Sequence, residues 1–135
     1  MPRPCHHFIF CTPGMIVLAA AMATAQDKPT RLSDARAAVE ANLATPDGKA
    51  YDAQFGNEFA QMHLAPLRAC KQSTGDLTSF WMLFKLEKAG TVKELLFYPE
   101  TKLTACARDA LLKEKFSALP PRASYWVSVY MKLSH

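Results

Sequence analysis

The sequence predicts an α+β fold, a three-stranded antiparallel sheet with helices packed on one face. Three observations carry it. Two stretches near the middle alternate apolar and polar residues with a period of two, joined by a short turn containing glycine. The cleanest alternation of all, Tyr125 to Leu133, lies near the end of the chain. The segments before and between these strands repeat their apolar residues every three or four positions, the stripe of an amphipathic helix.

Taken in order, residues 26–32 read as a flexible start. Ser33 is placed to cap a short helix over Ala35–Leu43, with Leu32 packing back on its first turn. Pro46-Asp47-Gly48 reads as the turn that ends it. From Tyr51 to Lys71, apolar side chains at Tyr51, Phe55, Phe59, Met62, Pro66 and Cys70 predict a long helix. Pro66 must kink or split that helix, because it has no N–H to donate to the carbonyl of Met62. His63 falls beside the stripe, where a histidine more often serves structure than catalysis.

Phe80, Met82, Phe84 and Leu86 alternate with Trp81, Leu83, Lys85 and Glu87, which predicts a first strand. Lys88-Ala89-Gly90-Thr91 reads as a hairpin turn, with Gly90 free to adopt positive φ. Val92–Tyr98 returns as the second strand, with a bulge expected near Lys93-Glu94, where the alternation slips. Pro99-Glu100-Thr101 opens a helix capped by Thr101, with Leu103, Cys106, Ala107, Ala110 and Leu111 on its apolar face. Phe116 and Leu119 are expected to anchor its exit before Pro120-Pro121. In the final strand Tyr125, Val127, Val129, Met131 and Leu133 face one way, and Trp126, Ser128, Tyr130 and Lys132 the other.

The start of the chain has a different character. One basic residue, Arg3, precedes the apolar run Met15–Met22; Ala23-Thr24-Ala25 then offers a small-x-small cleavage site, and the chain turns polar at Gln26. That is the order of a secretory signal peptide over 1–25. The run is about half of the roughly 20 apolar residues that span a bilayer, so a retained anchor is not expected. The expected organisation is a signal peptide over 1–25, an N-terminal extension with a short helix over 26–50, and a single α+β domain over 51–135. The expected location is the periplasm or the exterior.

Cys5 and Cys11 leave with that leader, and Cys70 and Cys106 remain. A spacing of 36 residues fits neither a CxxC redox motif nor a zinc knuckle. In an oxidising compartment a structural disulfide is the expected reading, two unrelated buried thiols being the alternative. The chain has 16 basic and 12 acidic residues, and loss of Arg3 leaves 15 against 12. No run of like charge forms the basic stripe that a nucleic-acid partner requires.

Several pieces together resemble the C-terminal periplasmic domain of TonB and its relatives: Phe84–Val92 with its Gly-x-Val turn, Leu95 and Phe97, Lys115-Phe116 before Pro120-Pro121, and Val127-Ser128-Val129. In the gliding-motility-type branch a cysteine ends one helix and another lies inside a later one, the positions of Cys70 and Cys106. The resemblance covers about the last 75 residues. It implies a TonB C-terminal-like fold and binding of a peptide segment by strand addition. TonB itself keeps an uncleaved anchor and a long Pro-rich spacer, neither of which is read in this sequence.

For chemistry, no GxSxG, HExxH or phosphate-cradling glycine loop occurs. No catalytic residue, metal ligand or cofactor is assigned. The leading expectation is a protein-binding module of the cell envelope, with Tyr125, Trp126, Ser128 and Tyr130 of the last strand as its contact residues. The partner expected is a protein or peptide, with no nucleic acid and no stable membrane insertion after cleavage. The competing class is an inhibitor or immunity-type protein that blocks a toxic or lytic enzyme, and a third is a hydrolase whose site the sequence does not reveal.

Overall fold

The computed structural model describes residues 27–135, with side chains from Arg31 onward. The leader expected over 1–25, with Cys5 and Cys11, lies outside the described residues. The element order is α1 (Asp27–Leu43), α2 (Pro46–Met62), α3 (Ala65–Thr74), β1 (Phe80–Leu86), β2 (Val92–Tyr98), α4 (Lys102–Leu112) and β3 (Tyr125–Met131). The three strands form one antiparallel sheet in the order β2-β1-β3. The molecule is therefore α+β with a three-stranded antiparallel sheet.

Parity divides the sheet into two faces. Phe80, Met82, Phe84 and Leu86 of β1, Leu95 and Phe97 of β2, and Tyr125 and Val127 of β3 share the inner core with α2, α3 and α4. Phe55, Phe59, Phe84 and Phe116 pack ring on ring there, with Phe55 and Phe116 centroids 4.4 Å apart. Each such buried ring contributes roughly 1.5–3 kcal/mol. Leu83 has the opposite parity and joins a second, smaller cluster with Ala35 and Val39 of α1, flanked by Leu96 and Trp126. Three helices thus lie on one face, as expected, and α1 adds a layer on the other.

Several local expectations are corrected. α1 begins at Asp27 and not at Ser33. Pro29 does not oppose this, since the first turn of a helix needs no N–H from it. Pro46-Asp47-Gly48 opens α2 instead of forming a turn after α1. Thr45 is the N-cap, its Oγ1 accepting from Gly48 N at 3.0 Å, and proline suits the first helical position. The long helix splits at His63-Leu64, just before Pro66, and α3 ends on Gly75 at φ 65°. Met62 is exposed, while His63 is buried. Tyr51, Phe55, Phe59 and His63 are each four apart, so His63 continues the buried line. Leu119 is exposed, and Phe116 together with Ala118 anchors the exit of α4.

Other features follow the pattern. Thr101 and Thr104 form a reciprocal capping box at the start of α4. Lys85 pairs with Glu94 and Leu86 with Val92, so Lys93 is the extra residue of a bulge. Gly90 has φ 86°, and a Cβ there would lie 2.1 Å from the Phe116 carbonyl oxygen. Cys70 and Cys106 are bonded, joining α3 to α4. Cys70 is buried, but Cys106 is exposed and not on the core face of α4, which is formed by Leu103, Thr104, Ala107 and Leu111.

Candidate functional site

Which backbone groups of β3 are free follows from the ladder. Glu87 N–H donates to Thr91 O at 3.0 Å across the hairpin, so odd-numbered residues of β1 turn their backbone groups toward β2. Even-numbered ones therefore turn toward β3, where Phe80, Met82, Phe84 and Leu86 stand opposite Met131, Val129, Val127 and Tyr125. Trp126, Ser128 and Tyr130 then direct their N–H and C=O away from the sheet. The Trp126 carbonyl confirms this direction, since it accepts from Asn42 Nδ2 at 2.9 Å. Among the described residues, no bond satisfies the outward N–H and C=O of Ser128 or Tyr130.

The two edges of the sheet differ. On β2, the outward carbonyl of Leu95 accepts from Arg108 of α4 at 2.8 Å, and the guanidinium also binds Glu100. The start of β3 is covered by the α1–α2 corner, through Asn42 and its contact with Arg122. The second half of β3 is open. Burial falls along the strand: Tyr125 and Val127 are buried, Val129 and Met131 half-buried, Tyr130 exposed.

On the outer face the same end of the sheet carries an aromatic row. Trp81 of β1 stands opposite Tyr98 of β2 and Tyr130 of β3. All three are exposed, at 45%, 52% and 49%, and the Trp81 and Tyr130 ring centroids are 4.9 Å apart. Between this row and α1 runs a groove of about 170 Å³, floored by Leu83 and Ser128 and walled by Arg36, Val39, Glu40 and Leu43.

The residues singled out from the sequence fall into different environments. Tyr125 is buried, its ring edge-on to Tyr51 at 5.1 Å, and burial raises its hydroxyl's pKa. Trp126 packs against α1, with Lys85 Nζ over its ring at 5.7 Å. Ser128 lies on the groove floor and Tyr130 in the aromatic row. Cys70 and Cys106 lie on α3 and α4, and Lys71, next to Cys70, bonds the Ser134 carbonyl at 2.8 Å just past the end of β3. Trp81 and Tyr98 escaped sequence reasoning as site residues. Parity places Trp81 on the outward set, but only the strand order β2-β1-β3 brings Tyr98 and Tyr130 to either side of it.

Titratable groups gather elsewhere. The His63 ring lies between Glu114 Oε2, 2.7 Å from Nδ1, and Glu58 Oε1, 3.2 Å from Nε2. Glu58 also accepts from the N–H groups of Ser117 and Ala118, both at 2.7 Å. Burial pushes the Glu58 carboxyl up, but those backbone bonds and His63 outweigh it and hold it below its ordinary value. Each of these groups is engaged in holding the chain between α4 and β3. No group of three or more His, Cys, Asp or Glu side chains is placed to hold a metal ion among the described residues. No family model, curated protein or solved structure matches this chain.

Proposed function

We propose that this chain is an exported protein-binding module that takes an extended segment of a cell-envelope protein as a fourth strand along β3. The observation that supports it most is the pair of outward, unpartnered backbone positions at Ser128 and Tyr130. An open edge with its donors and acceptors unsatisfied is a template for strand addition. The β2 edge is a poorer one, since the Arg108 side chain already occupies its Leu95 carbonyl. The resemblance to TonB-type C-terminal domains implies the same mode.

Ser128→Pro is a direct test, because the N–H it removes points away from β1. The β1–β3 ladder keeps its bonds, so the variant is expected to fold, as proline on an edge strand can. Ser128→Ala keeps the N–H. Calorimetry against a partner recovered from envelope extract should show binding by wild type and Ser128→Ala. It should show at least a ten-fold loss for Ser128→Pro with an unchanged circular dichroism spectrum. Unchanged binding by the folded proline variant would remove the β3 edge as the site.

A further inference from the structure

We propose that the segment added along β3 carries an aromatic side chain on its outer face, opposite Tyr130, and small aliphatic side chains on its inner face, opposite Val129 and Met131. This rests on the reading of β3 as a strand-addition edge and specifies what that edge selects.

Residues directly opposite on neighbouring strands share a face of the sheet, with Cβ atoms about 4.5–5.5 Å apart. Tyr98, Trp81 and Tyr130 already form one such row across three strands. A fourth strand continues the row by placing its own side chain beside Tyr130. That ring meets Trp81 on one flank and is open on the other. Aromatic cross-strand pairs gain more than their buried area, and a tyrosine ring buries its body while its hydroxyl stays wet.

The inner face imposes a different demand. Val129 and Met131 pack against the core and are flanked on the β1 side by Met82 and Phe80. Their other flank is open. A β-branched side chain covers it, whereas a charge there would lose its water without gaining a partner. Opposite Ser128 the added residue reaches the mouth of the groove beside Arg36 and Glu40, where a hydroxyl suits.

The test uses two blocked nine-residue peptides with lysine at each end. The first has valine at every inward position and threonine at every outward one. The second replaces the central threonine with tyrosine. Fluorescence anisotropy with the wild-type domain should show the tyrosine peptide binding about five-fold more tightly. Replacing Trp81 and Tyr130 together by threonine should bring the affinities of the two peptides within about two-fold of each other. Ser128→Pro should lose both peptides. Equal affinity for the two peptides, with both still lost in Ser128→Pro, would overturn the aromatic selectivity and leave strand addition standing. Failure of both peptides to bind, or binding indifferent to Ser128→Pro, would overturn both.

Discussion

Glu58 shows how one side chain fixes a segment that has no regular structure of its own. Its carboxylate gathers the Ser117 and Ala118 N–H groups and the His63 ring. Between α4 and β3 these bonds replace a missing ladder. Because the folded carboxyl titrates below its ordinary value of 4.5, its stabilisation is complete above that pH and is lost as pH falls through the lower folded value. Asp76 acts in the same direction. The Thr78 N–H, ahead of further bonds including that from Leu103 N–H, holds it down to about 2 from 3.8. The thermal midpoint should therefore fall as pH drops from about 5 toward 2. Glu58→Gln should cost roughly 2 kcal/mol at pH 7, since hydrogen bonds to a charged acceptor are worth about 1.5–3 kcal/mol. It should also flatten the acid limb, and thermal unfolding followed by circular dichroism across pH checks both. An equally steep acid limb in the variant would remove Glu58 from this role.

Among the elements, the strands were legible in the sequence and the helix boundaries less so. A strand with one face on a core must alternate, so β1 and β3 declared their parity at Phe80–Leu86 and Tyr125–Met131. The bulge at Lys93 was visible as a slip in that alternation. The α1–α2 corner was not, because Pro46 and Gly48 suit a turn as well as a helix start. The deciding contact is tertiary. Gly48 is buried beneath the end of α1, and a Cβ there would lie 1.7 Å from the Asn42 carbonyl oxygen. Asn42 is the same residue that covers the Trp126 carbonyl, so this corner also sets how far along β3 the edge is closed. Gly48→Ala should destabilise by about 2 kcal/mol or more, because backbone and not a flexible side chain must move. Urea denaturation measures the loss, and a variant as stable as wild type would contradict the close approach. The candidate site was half legible for a related reason. Ser128 and Tyr130 follow from strand parity alone, whereas the row Tyr98–Trp81–Tyr130 depends on strand order, which period-two patterns do not encode.

Across the whole molecule, the sheet separates a thick layer of three helices from the single helix α1, and the disulfide fastens the thick side. It closes a 36-residue separation between α3 and α4. The chain-entropy model assigns such a loop about 3–4 kcal/mol. Cys106→Ser should lower the stability by up to that amount without altering peptide binding at β3, because α4, which carries Cys106, packs mainly on α3 and β2. Urea denaturation, with anisotropy on the same peptides, checks both halves, and a loss of affinity in a folded Cys106→Ser protein would contradict the separation. The strand order β2-β1-β3 has a bearing on biogenesis as well. If the chain is exported as proposed, crossing a membrane from its amino end delivers both cysteines and the β1–β2 hairpin before Tyr125 emerges. Oxidation can therefore precede completion of the sheet. Until the last segment arrives, the edge that awaits a strand belongs to β1, the most deeply buried strand of the finished protein. During that interval it is the element most in need of shelter from neighbouring nascent chains.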